Sequence, residues 1–503
     1  MVFHTPLGVG VGYDSMYYLN AAEGVRSDLG LVKVGSGGDV VPLNHFPPLY
    51  PLALALVASI LDISAIQAAR WLGVLFYALN VGLIGVVVHQ STRSWLAAVV
   101  ASFFGLISPN LLEVHLDAMS EPLFFSCLLV AFWMLGKYFQ SESRPWAMSA
   151  GVLAGAASLV RYIGGTVLIT GGLAILLWDM LGMRERLKAA LLFGSSGGVL
   201  VAAWVGRNAL LSGSVTNRSI GFHPVTSEML RRGAVAISTW FLPISASTWI
   251  RLGATLFFGL ALLLLVGESY IRWRQRRPRS LTTRDKLSAL PALYALIYIV
   301  GLGLSMTFVD ASTPLTNRIL APLYLMLLLL IPSLVVFLLE AVRRRALLLS
   351  LVAVLGCALA VSYVPQSAEA WAEARREGRR LTSLTWVRSE AMEMLRKMGR
   401  EAVIYTNEPQ PVQLHTGIAA FRAPEQWDSI RDQVPESYEE WLSSMRRDLQ
   451  RENSALVIFH PAELRRETAP LDVLTQGLEL AATTQDADIY VHPSNLDDWL
   501  GEG

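Results

Sequence analysis

An aspartate and two tyrosines stand close together near the start of the 503-residue chain, in Gly12-Tyr13-Asp14-Ser15-Met16-Tyr17-Tyr18. In a polar loop the Asp14 carboxylate stays ionised and can accept a proton from an attacking hydroxyl, with Tyr17 and Tyr18 beside it as substrate contacts. The plainer reading is an exposed loop acid next to interfacial tyrosines. A second polar cluster, in the stretch from Glu113 to Pro122, holds His115, Asp117 and Glu121, whose nitrogen and oxygen atoms suit a divalent cation. The competing account is structural: Ser120-Glu121-Pro122 is also a helix start, where an acid is favoured. A third set is Arg161, Arg207, Arg218 and Arg318. A guanidinium at the membrane boundary makes a forked, charge-assisted contact to a lipid phosphate, although snorkelling at a helix end needs no ligand.

The elements that must position these residues are apolar helices. With 53% hydrophobic and 16% charged residues, the composition is that of a polytopic α-helical membrane protein. Ten stretches read as spans: 65–88, 95–112, 120–139, 147–160, 163–180, 189–207, 250–271, 287–308, 318–340 and 346–364. Residues 47–61 are apolar but short, which suits an interfacial helix, and residues 1–46 hold no span. The formal net charge of +1 conceals segregation. Basic residues gather in alternate connections, around Arg93, Lys137 to Arg144, Arg184 to Lys188, Arg272 to Lys286 and Arg343 to Arg345, which places those connections in the cytoplasm. The remaining loops, with all three candidate clusters, then face outward.

The expected domains are an outer loop with its interfacial helix (1–64), a multi-span membrane domain (65–364) and a small soluble extracytoplasmic α/β domain (365–503). The last contains short β-type runs at Val403–Tyr405, Ala455–Phe459, Leu478–Ala482 and Ile489–Val491. Cys127 and Cys357 fall within apolar spans and behave as small hydrophobes. No phosphate-binding glycine loop or dinucleotide fingerprint is present, so neither a nucleotide cofactor nor a nucleic acid partner is expected.

Several loose motifs occur in a characteristic order: the acid-x-x-Tyr-Tyr of Asp14 to Tyr18, Pro47-Pro48-Leu49-Tyr50-Pro51, Ser108-Pro109 with Ser120-Glu121-Pro122, Gly151-x-x-x-Gly155 leading to Leu159-Val160-Arg161, Trp204-x-x-Arg207-Asn208 with Gly213, and Asn317-Arg318. Together they resemble the GT-C class of membrane glycosyltransferases, in the branch of the protein O-mannosyltransferases and the aminoarabinose transferases of lipid A. The resemblance covers roughly residues 10–340. The tail, with Ile404-Tyr405-Thr406-Asn407 and Gly417, is similar to the outer domains that end many such enzymes.

The resemblance implies inverting transfer of a sugar from a polyprenyl-phosphate donor to a lipid, glycan or protein acceptor, in a bacterial inner membrane and on its outer face. It also implies Asp14 as general base and His115, Asp117 or Glu121 as holders of a metal cation or of substrate. Two departures stand out. Relatives have a helix before the first catalytic loop, so the expectation is a start assigned too far downstream or a truncated, inactive homologue. Relatives of the aminoarabinose type have Lys before the double proline, where this chain has Phe46, leaving His45 as the nearby substrate-binding substitute. A lipid-linked oligosaccharide ligase or flippase-like protein is the alternative, and it would not require an acid at Asp14.

Overall fold

The computed structural model describes residues 5–35, 38–178, 182–216, 220–243, 245–257, 259–260, 282–310, 313–341, 345–427, 433–459 and 468–496. Helix α1 (Tyr13–Arg26) is followed by a short antiparallel pair, β1 (Val32–Val34) and β2 (Val40–Pro42), and by α2 (Leu49–Leu61). The helical body continues with α3 (Ala65–Thr92), α4 (Trp95–Ile107), α5 (Pro109–Leu116), α6 (Glu121–Ser141), α7 (Arg144–Val160), α8 (Gly165–Trp178) and α9 (Met183–Ser212). It is completed by α10 (Ser227–Ser238), α11 (Thr283–Phe308), α12 (Asn317–Ala341) and α13 (Arg345–Arg376).

Among the described residues six helices, α3, α6, α9, α11, α12 and α13, are long and apolar enough to cross a membrane, and the bent pair α4 and α5 makes up to seven. Ten crossings were expected. The expected span 95–112 breaks at Ser108, where the axis bends by 55°. Ser108 is extended, its Oγ accepts from the Leu111 amide at 3.2 Å, and Pro109 opens α5, so the chain starts a new helix instead of continuing the old one. The expected spans 147–160 and 163–180 are α7 and α8, of 17 and 14 residues. Most of the expected span 250–271 lies outside the described residues. Helix α13 runs without a break past residue 364, the expected end of the membrane domain, to Arg376.

Small residues set the closest packing. A Cβ on Gly155 would stand 2.5 Å from the Gly197 carbonyl oxygen, and one on Gly197 would stand 2.3 Å from that of Gly151. The Gly151-x-x-x-Gly155 stretch therefore brings the backbones of α7 and α9 together, as small residues do between membrane helices. At the end of α7, Gly164 permits the tight return to α8, because a Cβ there would meet the Ala157 carbonyl oxygen at 2.3 Å.

After α13 the chain forms α14 (Glu390–Met398), β3 (Val403–Thr406), α15 (Pro409–Thr416), β4 (Phe421–Arg422), α16 (Tyr438–Asp448), β5 (Ser454–Phe459), β6 (Glu479–Thr483) and β7 (Ala487–Val491). The strand order is β4-β3-β5-β7-β6, parallel among β4, β3 and β5 and antiparallel through β7 and β6. Every residue of β5 is buried, as a central strand covered on both faces requires. Strand β4 and the β1–β2 pair carry too short an apolar run to be read from sequence.

This sheet unit docks on the start of the chain. The Leu381 amide donates to the Val11 carbonyl at 3.0 Å, and the Thr382 hydroxyl to that of Val9 at 3.0 Å. The Tyr13 hydroxyl donates to Glu408 at 2.5 Å. On α15, His415 Nε2 lies 2.7 Å from the Leu381 carbonyl oxygen and donates to it in the neutral tautomer. Burial holds the His415 imidazole below the ordinary histidine range.

Two outcomes follow from this packing. Gly155→Leu should destabilise the helical body by about 1–3 kcal/mol or more, read as an earlier midpoint of unfolding by dodecyl sulfate in mixed micelles. Gly198→Ala, whose Cβ meets nothing within 4 Å, should not lower it. Because the folded pKa of His415 is depressed, the unfolded form binds the extra proton, so docking should weaken as pH falls from the ordinary histidine value through the folded one. Protection of the amides of residues 379–384 from hydrogen exchange, taken relative to the intrinsic rate at each pH, should then fall as pH is lowered from 7.5 to 5.5, and His415→Gln should remove that fall in protection.

Candidate active site

Four charged side chains from four elements meet at one level of the helical body. Asp14 lies in the first turn of α1, Glu121 opens α6, Arg161 caps the end of α7 and Arg318 lies in the first turn of α12. Arg318 Nη2 donates to Asp14 Oδ2 at 2.6 Å, and its Nε faces Glu121 Oε1 at 3.0 Å. Arg161 Nη1 pairs with the same Glu121 oxygen and lies 3.3 Å from Ser120 Oγ. The result is a ladder, Asp14–Arg318–Glu121–Arg161, with two charges of each sign. Its inner carboxylate, Glu121, has a side chain 1% exposed, whereas that of Asp14 is 31% exposed. Glu121 Oε2 is buried without a hydrogen-bond partner.

Local structure holds each rung. Asn317, which precedes Arg318, accepts from the Trp240 indole at 3.2 Å and exchanges hydrogen bonds with the Thr239 hydroxyl. Tyr298 of α11 donates to the Ile319 carbonyl at 2.7 Å. Arg161 is extended between α7 and the turn Tyr162–Gly164, which turns its side chain out of the helical register. Ser15 Oγ accepts from the Gly12 amide at 2.9 Å, closing the start of α1 just where Asp14 stands. A carboxylate is favoured in that first turn.

The tyrosines flank the ladder. Tyr18 is buried, its hydroxyl 3.3 Å from Ser120 Oγ and its ring edge-on to Phe46 and Tyr50. Burial raises its phenol well above the ordinary value, so it stays protonated and able to donate. Tyr17 packs on Phe46 at 5.5 Å and under the Lys33 ammonium at 5.9 Å, and burial pulls that ammonium below its usual range. His45 lies edge-on to Phe46 at 4.7 Å, so one phenylalanine ring joins His45, Tyr17 and Tyr18.

Arg207 is turned elsewhere. It donates to the Leu43 carbonyl at 2.6 Å and to that of Leu31 at 3.1 Å, with Trp204 beneath its guanidinium at 4.8 Å. It pins the β1–β2 segment to α9, together with Tyr162, whose hydroxyl donates to the Asn44 carbonyl at 2.8 Å. Arg218 lies outside the described residues.

The grouping of His115, Asp117 and Glu121 around one cation is not what the structure shows. His115 is buried in α5, Nε2 facing Asn80 at 3.0 Å and Nδ1 facing the Leu111 carbonyl at 2.6 Å. Asp117 spends Oδ1 on Arg379 at 2.9 Å and Oδ2 on Arg380 at 2.5 Å. Glu121 faces Arg161 and Arg318. Each donor is committed to a different neighbour, the carboxylates to cations, and among the described residues no three His, Cys, Asp or Glu side chains converge as a metal site. The donor set does not fit a cation.

Asp117 works instead as a latch. Its pairing with Arg379 and Arg380 draws the segment after α13 against the α5–α6 connection, with residues 9–11 threaded between them. The Gly10 amide donates to the Leu116 carbonyl at 2.9 Å, and the Ala118 amide donates to that of Gly10 at 2.7 Å. A Cβ on Gly10 would fall 2.2 Å from Asp117 Oδ1, so a glycine is needed there. Sequence reasoning missed Arg379 and Arg380, which sit in a charged run that reads as a solvated helix. It also missed Ser120 as a contact of both Tyr18 and Arg161.

Residues 45–205 match the family described as dolichyl-phosphate-mannose-protein mannosyltransferase. No curated protein matches the sequence. Among solved structures, ArnT from Cupriavidus metallidurans bound to undecaprenyl phosphate is similar over 98% of this chain and 97% of that one, at 12% identity and a TM-score of 0.55. The oligosaccharyltransferase of Archaeoglobus fulgidus in complex with Zn and sulfate is similar over 98% of this chain and 72% of that one, at 11% identity and a TM-score of 0.56. The oligosaccharyltransferase AglB of the same organism, in complex with an inhibitory peptide and a dolichol-phosphate, covers 91% of this chain and 68% of its own length, at 12% identity and a TM-score of 0.54. This chain thus has the fold of these membrane glycosyltransferases, and its residues 45–205 are similar to the mannosyltransferase family.

Proposed function

We propose that the chain transfers a sugar from a polyprenyl-phosphate donor to an acceptor hydroxyl, with Asp14 as general base. The observation that carries this reading is the gradient of exposure along the ladder: Asp14 is 31% exposed, whereas Glu121 is sealed at 1%. Arg318 holds one Asp14 oxygen, which orients the carboxylate and leaves the other to take a proton. The acceptor oxygen loses its proton to Asp14 and bonds to the anomeric carbon, while the bond from that carbon to the phosphate oxygen breaks. The configuration inverts, and the phosphate leaves with the bonding electron pair. Arg161 and Arg318 lie where a departing phosphate gains from guanidinium donors, and Tyr18, kept as a phenol, adds a neutral donor beside them.

The match to ArnT, solved with undecaprenyl phosphate, supports a lipid-phosphate donor. The basic connections support a ladder and a C-terminal sheet unit that face away from the cytoplasm, and the resemblance to bacterial enzymes supports a bacterial inner membrane.

The test uses membranes from cells expressing the chain, supplied with radiolabelled polyprenyl-phosphate sugars. Asp14→Asn should lower transfer of label by about 10²–10⁴-fold. Glu479→Gln, at an exposed position in β6, should leave it unchanged. A wild-type rate in Asp14→Asn removes the base assignment, and label that stays on every carrier sugar removes the transferase reading. Asp117→Asn should lower kcat more than it raises KM, since it unfastens the segment that carries Asp14 without touching substrate. Hydrogen exchange at residues 9–11 should rise in the same variant, and an unchanged exchange rate would count against the latch.

A further inference from the structure

The second half of α3, α4 along its length and the end of α6 line a cleft of about 630 Å³. Lys137, in its lining, is 16 residues along α6 from Glu121, about 24 Å at the rise of an α-helix, and none of the four ladder residues lines the cleft. Its volume is that of an ordinary ligand site.

The chemistry of the cleft is divided. Along its length run Val86, Val99, Phe103 and Leu106, all exposed on the apolar flank of the helices. Arg93 and Lys137 are also in its lining, which contains no carboxylate. Beneath them Gln90 is 8% exposed. Its amide nitrogen donates to the Trp133 carbonyl at 3.2 Å, which fixes the amide orientation, and its Oε1 is buried without a partner. His89, stacked on Trp95 at 4.0 Å, likewise has a buried, unpartnered Nδ1. A buried acceptor left unmade costs about 1–3 kcal/mol, so a group that donates to it gains by binding there. Retention of basic residues at this end of the spans explains Arg93 and Lys137 but not the buried Gln90 acceptor beneath them.

We infer that this cleft binds one anionic glycerophospholipid of the bilayer: its phosphate between Arg93 and Lys137, a headgroup hydroxyl donating to Gln90 Oε1, and an acyl chain along the apolar wall of α3 and α4. Paired cations at a membrane face recognise such phosphates. The hydroxyl selects a glycerol headgroup, and the absence of a carboxylate disfavours a choline headgroup, whose cation would have no counter-charge.

The test is native mass spectrometry of the full chain in non-ionic detergent, titrated with phosphatidylglycerol and with phosphatidylcholine of the same acyl chains. One phosphatidylglycerol should be retained at least 10-fold more strongly than phosphatidylcholine, and Arg93→Gln with Lys137→Gln should abolish the preference. Gly82→Phe, at a lining position where a Cβ meets nothing within 4 Å, should reduce retention of both lipids by taking up space in the cleft. Asp14→Asn should retain the lipid as wild type does. Equal retention of the two lipids, a preference that survives the double substitution, or displacement of phosphatidylglycerol by an equal concentration of polyprenyl phosphate would each overturn the assignment.

Discussion

A carboxylate sealed inside the helical body must have cations beside it, and Glu121 has two. Leaving such a charge unpaired at a membrane boundary costs several kcal/mol, so Arg161 and Arg318 are compelled to its level. That requirement brings the start of α6, the end of α7 and the start of α12 together. Asp14 is attached to this arrangement through the outer face of Arg318. The candidate site is thus located by a charge that the interior cannot tolerate alone, and Asp14, the proposed base, is the carboxylate left more exposed.

The same logic extends to the C-terminal unit. Asp117, with a side chain 3% exposed, is neutralised by arginines from beyond α13, and the chain before Asp14 is threaded through that contact. Docking of the sheet and placement of α1 are therefore one event. Tyr13, adjacent to Asp14, is held by Glu408 of the sheet unit, so the C-terminal part reaches within one residue of the proposed base.

Close helix packing is achieved by the absence of side chains. Where α7 crosses α9, glycines face backbone carbonyls on both sides, and no larger residue can stand there. This lets α7 and α8, both shorter than a full apolar span, sit within the body and deliver Arg161 from the turn between them. A straight span through residues 147–180 would have carried Arg161 into its middle.

Composition and apolar periodicity determined the membrane class, the positions of most long helices and the central and antiparallel strands of the C-terminal sheet, because these depend on local patterns that each segment carries by itself. Asp14, Arg161 and Arg318 were legible as candidates for the same reason: polar groups at the ends of apolar runs are costly enough to be conspicuous. Which carboxylate pairs with which guanidinium was not legible. Asp14 and Arg318 are 304 positions apart, and Asp117 and Arg380 are 263 apart. Only the tertiary structure decided that Glu121 joins the arginines, that Asp117 becomes a latch and not a metal ligand, and that Arg207 clamps a loop, because ion pairing depends on distance in space and nothing in the local pattern records the partner.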